Sequence, residues 1–226
     1  MKCPAVKNTN MRNFHASLLF TIVGAISASA SDETAARLNK ATAVFAKLTE
    51  SEHGIFSGRI ASADCITVIP GFKKGAAGFG IGFGRGFISC RKEVGWSAPA
   101  AITLETASLG VQLGGEEIDI VLLSLDKERR SKLLSERFAV GSDASAAWGN
   151  GKSAHEDPSA QIIFYGHTKG AFAGFGLDGA TLKRDESSDK ALYGKDLKNS
   201  DIVDGPATPR SVAEPFVDKL SQTANR

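Results

Sequence analysis

From Gly78 to Gly86 every second residue is glycine: Gly78, Gly80, Gly82, Gly84 and Gly86. Phe79, Ile81, Phe83, Arg85 and Phe87 alternate with them. Side chains along an extended strand alternate between its two faces, so this run has one bare face and one large one. Each such glycine costs roughly 0.5–1 kcal/mol relative to alanine. Five on one face therefore demand a close approach by backbone, helix or ligand. Tight packing inside a small barrel or sandwich accounts for most of them, with a ligand groove as the functional alternative. A dinucleotide site is rejected, because it needs a strand, a tight turn and then a helix N-terminus. Here the chain continues as Phe87-Ile88-Ser89-Cys90, which is strand.

The surrounding elements point to α+β. Ala35 to Glu50 reads as a helix, with Leu38, Ala41, Val44, Phe45 and Leu48 on one face and Gly54 as a stop. Cys65 to Ile69 is a β-branched strand that Pro70-Gly71 should end. Ala98–Leu104, Leu109–Leu113 and Ile118–Leu125 read as three further strands. Asp126 can cap a charged helix from Lys127 to about Arg137. Phe138 to Trp148 and Ala160 to Tyr165 are extended, with a loop at 150–158. Asp178 to Asp189 is turn-rich, and 195–208 is an irregular tail. Pro209 suits the first turn of a last helix carrying Val212, Phe216 and Leu220. Helices at both ends and in the middle, with hairpin-linked strands between, predict a mainly antiparallel sheet, strongly curled or barrel-like.

The first thirty residues read as an address. Lys2, Lys7 and Arg12 precede an apolar run from Phe14 to Ile26, and Ala28-Ser29-Ala30 is a small-x-small cleavage pattern. The expectation is a signal peptide over 1–30 and a single domain over 31–226, with a core at about 37–194 and a C-terminal helix at about 209–221. Localisation would then be extracytoplasmic, periplasmic or secreted, and peripheral to a membrane. Without Lys2, Lys7 and Arg12, 24 basic residues face 25 acidic ones, a net charge of −1. That balance does not suit a nucleic-acid binder. Cys65 and Cys90 could pair in an oxidising compartment. The reading preferred at this level is two small buried side chains.

Enzyme chemistry finds little support. Gly141-Ser142-Asp143-Ala144-Ser145 lacks the nucleophile-elbow pattern. A hydrolase using Ser142 or Ser145 with His155 or His167 is the enzymatic rival, since such groups meet in space rather than in sequence. Asp185-Glu186 and Asp189 read as a solvated turn. No cofactor, metal site or catalytic residue is expected. Cations beside glycine turns say more. Lys73-Lys74 precedes the glycine strand, Arg85 interrupts its aromatic face, Arg91-Lys92 follows it, and Lys169-Gly170 repeats the first arrangement. Turn N–H groups and adjacent lysines suit phosphate headgroups.

Several long segments together resemble the SYLF family. They are Lys74 to Arg91 (KGAAGFGIGFGRGFISCR), Gly95 to Leu104 (GWSAPAAITL), Leu109 to Leu123 (LGVQLGGEEIDIVLL), Phe138 to Ala147 (FAVGSDASAA), and Gly170 to Leu182 with Tyr193-Gly194. Cys65 and Cys90 stand where the family would have Gly and Val. The resemblance implies a non-enzymatic domain that binds phosphoinositide or other anionic membrane lipids. The alternative it offers is a protein partner, with actin binding in the yeast relatives. It also implies a membrane-contacting first helix, which would add Arg37, Lys40 and Lys47 to the headgroup contacts.

Overall fold

The computed structural model describes residues 16–50, 55, 57–140, 146–148, 160–167, 179–207 and 211–225; for 16–29, 57, 75–80, 108–116 and 146–148 only the backbone is described. The elements run α1 (Ala16–Glu50), α2 (Ser57–Ser62), β1 (Cys65–Cys90), β2 (Ala100–Ser124), α3 (Arg130–Leu133), β3 (Arg137–Ala139), β4 (Ala146–Trp148), β5 (Ile162–His167), β6 (Thr181–Arg184), α4 (Glu186–Tyr193), α5 (Asn199–Val203), a 3-10 turn (Ser211–Ala213) and α6 (Glu214–Ala224). The architecture is the expected α+β, with a curled, half-barrel sheet. No described helix is long and apolar enough to cross a membrane.

β2 is the spine. β1 lies antiparallel along its whole length, from Cys65 opposite Ser124 to Ile88 opposite Ala100. The other edge of β2 takes β5 at residues 119–124 and β6 at residues 102–105, both antiparallel. β3 extends the sheet beyond β6, and β4 beyond β5. The β4–β5 pair is parallel, the one departure from antiparallel pairing among the described strands.

The long β1–β2 ribbon curls until its two ends meet. Even-numbered residues of the second half of β1 face inward, and there the bare glycine face lies against the first half of the same strand. A Cβ on Gly84 would come within 2.7 Å of the Ile69 side chain and 2.8 Å of Phe72. A Cβ on Gly86 would come within 2.1 Å of the Val68 carbonyl oxygen. Close packing thus explains Gly82, Gly84 and Gly86; Gly78 and Gly80 lie where only backbone is described.

Two clusters fill the two sides of the curl. Inside it are Ile69, Phe72, Ile88, Ile102, Leu104, Ile118, Ile120, Leu122, Phe138, Phe164 and Leu182, closed by Ile202 and Val203 of α5. Outside it, Ile66, Val68, Phe87, Val121, Leu123, Ile163 and Tyr165 meet Leu38, Ala41, Val44, Phe45 and Leu48 of α1 and Phe216 and Leu220 of α6. The apolar stripe read from the sequence in α1 is therefore core.

Several sequence readings need correction. Pro70-Gly71 does not end a strand. Gly71, at φ +62°, sits in a register shift between Ile69 and Phe72, and its N–H donates to Asp119 Oδ1 at 3.0 Å. The three strands expected over 98–125 are one. The charged helix expected over 127–137 is only Arg130–Leu133. The turn-rich stretch 178–189 holds β6 and the start of α4, and the tail at 195–208 holds α5. The loop at 150–158, Gly54, Pro209 and the second glycine motif at 169–177 lie outside the described residues.

Cys65 and Cys90 are not two separate thiols. They form a disulfide, with Cα atoms 3.9 Å apart, that joins the ends of β1 where the curl closes. Twenty-five residues of sequence separate them. Closing a loop of that length in the unfolded chain stabilises the folded one by about 3 kcal/mol. Reduction under mild denaturant should therefore lower the unfolding midpoint sharply. The Cys65→Ser/Cys90→Ser protein should match the reduced wild type and ignore reductant. Equal midpoints for oxidised and reduced wild type would remove the clasp from the account.

Candidate functional site: a basic groove between α1 and β1

The outward face of the second half of β1 carries Ile81, Phe83, Arg85 and Phe87. Phe87 is buried under α1. Arg85, two residues back, reaches the first turn of α4. Its Nε donates to Asp185 Oδ2 at 2.7 Å, and one terminal nitrogen donates to Asp185 Oδ1 at 2.9 Å and to the hydroxyls of Ser187 at 2.8 Å and Ser188 at 3.1 Å. Such a planar, two-pronged contact is the strong form of an arginine–carboxylate pair. Arg37 of α1 approaches the same cluster, donating to Ser188 Oγ at 3.0 Å and to Glu33 at 2.6 Å. Glu33 also stands 3.6 Å from Arg85.

Asp185 itself is the N-cap of α4, accepting from the Ser188 N–H at 3.2 Å. Burial pushes its carboxyl up, but hydrogen bonds from Arg85, Ser187 and Ser188 outweigh that and hold it below the ordinary range. Burial, then the charge on Arg85, lowers the pKa of Arg37. Two guanidinium groups thus share one buried carboxylate. With Glu33, which pairs with Arg37 and approaches Arg85, two acids balance the two guanidiniums at the floor of a depression.

That depression is a groove of about 350 Å³ between α1 and β1. Arg37 and Lys40 line it from α1, and Lys73 and Arg85 from β1, with Phe83, Gly71 and Glu33. Four of the nine cations singled out in the sequence meet here. Lys40 and Lys73 are exposed and face solvent, whereas Arg37 and Arg85 are held by the acids beneath them. The Gly71 bulge lets β1 turn beside α1 and brings Lys73 to the groove.

Of the other five, the four that are described lie elsewhere. Arg91 donates to the carbonyls of Ile60, Ala61 and Ala63 at 3.0–3.1 Å, covering the C-terminal end of α2, and its guanidinium lies 4.6 Å from the Trp96 ring centroid. Lys92 donates to the carbonyls of Asp204 and Gly205. Both sit in a separate depression with Asp64 and Arg130, which pair at 2.5 Å. Lys74 pairs in register with Glu116 on the ribbon, Lys47 is exposed further along α1, and Lys169 lies outside the described residues. Ser142, Ser145 and His155 also lie outside them, and His167 ends β5.

Sequence reading missed the acidic half of this site. Asp185 and Asp189 are buried, not a solvated turn. The available signal was the capping pattern, Asp185 three residues before Ser188, ahead of the apolar Leu192. Asp189 Oδ1 accepts from the Ala101 N–H at 2.7 Å, while Oδ2 has no hydrogen-bond partner and Arg184 Nε is 3.9 Å away. Burial pushes its pKa from an ordinary 3.8 up to about 8. A raised folded pKa means this stability is complete below the unfolded value and is lost as pH rises towards 8. The expected slope is about 1.4 kcal/mol per pH unit between those values. Urea unfolding at pH 5 and pH 7.5 should show that loss in the wild type and a flatter profile in Asp189→Asn, which keeps the acceptor for Ala101. Parallel profiles would contradict a neutral Asp189.

Comparison with known proteins adds a family. A model of the Ysc84 family, described as Las17-binding protein actin regulator, matches residues 105–223, more than half of the 226 residues. An SH3 domain-containing protein of Schizosaccharomyces pombe is 30% identical over 147 residues, 59% of this chain and 33% of its own length. Protein YSC84 of Saccharomyces cerevisiae is 29% identical over 151 residues, 62% of this chain and 32% of its own. SH3 domain-containing YSC84-like protein 1 of Bos taurus is 28% identical over 144 residues, 61% and 42% respectively. The chain spans well under half the length of these relatives. No solved structure matches it. The matched segment contains Asp185 and Ser188, while the four groove cations precede it.

Proposed function

We propose, since this chain belongs to the Ysc84 (SYLF) family, that it is a non-enzymatic binding module whose groove between α1 and β1 holds the anionic headgroups of a membrane lipid. The observation that carries this is the meeting of Arg37, Lys40, Lys73 and Arg85 in one groove against a single lining acid, Glu33. Phosphate-bearing headgroups fit its chemistry. Lys40 and Lys73 supply the net positive charge at the mouth, and the guanidiniums of Arg37 and Arg85 supply fixed donors at the floor. A headgroup that displaces Glu33, whose side chain is 67% exposed, would lose little and gain two charge-assisted contacts.

An exported protein fits the same reading. The Cys65–Cys90 disulfide is the kind of bond that persists outside the reducing cytosol. It agrees with the leader pattern over 1–30 and favours an extracytoplasmic membrane face. A second reading is a protein partner. It rests on the printed description of the family and on the relative named LAS seventeen-binding protein 3 of Saccharomyces cerevisiae.

Vesicle flotation separates the two. Binding to anionic but not neutral vesicles, weakening as salt rises, is expected for the wild type. Lys40→Glu/Lys73→Glu should abolish most of it while lowering the unfolding midpoint only slightly, since both side chains are exposed and the one new like-charge pair, Lys73→Glu with Glu117 across the ribbon, is also at the surface. A folded protein that ignores every anionic vesicle would overturn the lipid reading and leave the partner reading, which co-sedimentation with actin filaments would then address.

A further inference from the structure

We propose that Ile81 and Phe83 form an apolar wedge that enters the bilayer beside the headgroups held in the groove. This deepens the lipid reading and rests on it.

Three large apolar side chains are exposed among the described residues: Ile81 at 69%, Phe83 at 51% and Val94 at 91%. Two of the three stand at i and i+2 on the same outward face of β1, so they form a pair. Local packing leaves them bare. Their partners across the ribbon are Ala107, too small to cover Ile81, and Glu105, which turns to pair with Lys183. Phe83 also lines the basic groove, so wedge and cations adjoin.

The occupant follows from charge and size. Lys40 and Lys73 line the groove together with Phe83; Glu33 lines it too, and Glu105 lies opposite Phe83 in register. A stable protein interface buries on the order of 1,200 Å² or more, far beyond two side chains. Two apolar side chains beside lysines do suffice at a membrane interface, where apolar insertion and attraction to anionic lipid act together. Residues 35–50 of α1, the segment the resemblance pointed to, cannot supply the insertion in this fold. Their apolar stripe, Leu38, Ala41, Phe45 and Leu48, is buried in the core. Apolar insertion therefore falls to the outward face of β1, while Arg37 and Lys40 of α1 remain headgroup contacts in the groove.

The two parts of the site should separate by salt. Electrostatic attraction is screened at high salt, whereas apolar insertion is not. The experiment is flotation of the purified chain, its N-terminus read by mass spectrometry, on phosphatidylglycerol vesicles at low and high salt. Ile81→Ser/Phe83→Ser is expected to lose roughly tenfold or more of the binding that survives high salt. Its circular dichroism and melting midpoint should match the wild type. A second measurement guards against indirect effects. Phe83→Trp should show a blue-shifted emission on anionic vesicles and be quenched by brominated acyl chains beyond the wild-type signal. If the wild type binds and the double-serine protein binds equally at high salt, with no extra quenching in Phe83→Trp, the wedge is overturned and the headgroup reading stands. If the wild type binds no anionic vesicle, both fall.

Discussion

Gly86→Ala is expected to destabilise the protein by about 3 kcal/mol or more, the upper range for forcing atoms into a packed interior. The new methyl carbon would lie 2.1 Å from the Val68 carbonyl oxygen and 2.8 Å from the Ile69 Cα. Both are backbone atoms, held in register by β2 at Val68–Val121 and Ile69–Ile120. Neither can move aside without unzipping the ribbon. Gly84→Ala meets mostly side chains, Ile69 and Phe72, and should cost less. Gly58→Ala in α2 is the control. Nothing lies within 4 Å of its added carbon, so its effect should be a gain of at most about 1 kcal/mol. Urea titration of the three variants checks the order. Equal stabilities for Gly86→Ala and Gly58→Ala would show that the strand does not close on itself.

Asp185→Ala should cost about 3–5 kcal/mol, the usual loss when one member of a buried ion pair is removed. It leaves Arg85 without its two-pronged acceptor and Arg37 beside a like charge. It also removes the N-cap of α4, which brings Ser187 and Ser188 to the cluster. Arg85→Ala alone should cost less, because Arg85 is more exposed than Asp185. In Asp185→Ala/Arg85→Ala the losses should be clearly less than additive, since either change already breaks the pair. The pH dependence has a sign. The Asp185 pKa is depressed in the folded state, so its contribution is complete above the unfolded value. It is lost as pH falls below about 4 towards the folded one. Additive losses in the double variant would mean that the two side chains do not interact.

Local patterns made much of the fold legible. The spacing from Leu38 to Leu48 predicted a helix with one buried face, and that face is buried. The alternation from Gly78 to Phe87 predicted a strand that something approaches closely, and the approaching partner is the first half of the same strand. What could not be read depended on that closure. Pro70-Gly71 looks like a stop because most such pairs are, yet a register shift absorbs it and β1 continues. Cys65 and Cys90 look like ordinary buried residues until the ribbon curls and brings them together.

The site was legible in the same uneven way. Lys40 and Lys73 could be named as cations but not as neighbours, since it is the folded outer core that brings α1 against β1. Arg85 was visible as a charge in an aromatic row, while its partner lay 100 residues away in a segment read as solvated turn. Polarity misled there. Asp185 and Asp189 are polar because they serve buried donors, a helix N-terminus, Arg85 and the Ala101 N–H, and not because they face water.

The central claim is that anionic headgroups bind between α1 and β1. Amide NMR of isotope-labelled protein, titrated with a soluble inositol phosphate, tests it most directly. The account predicts saturable shifts concentrated at Ala36, Arg37, Lys40, Gly71, Lys73 and Arg85, lost in Lys40→Glu/Lys73→Glu. Shifts that saturate around Arg91, Lys92 and Arg130 and leave the groove untouched would contradict it.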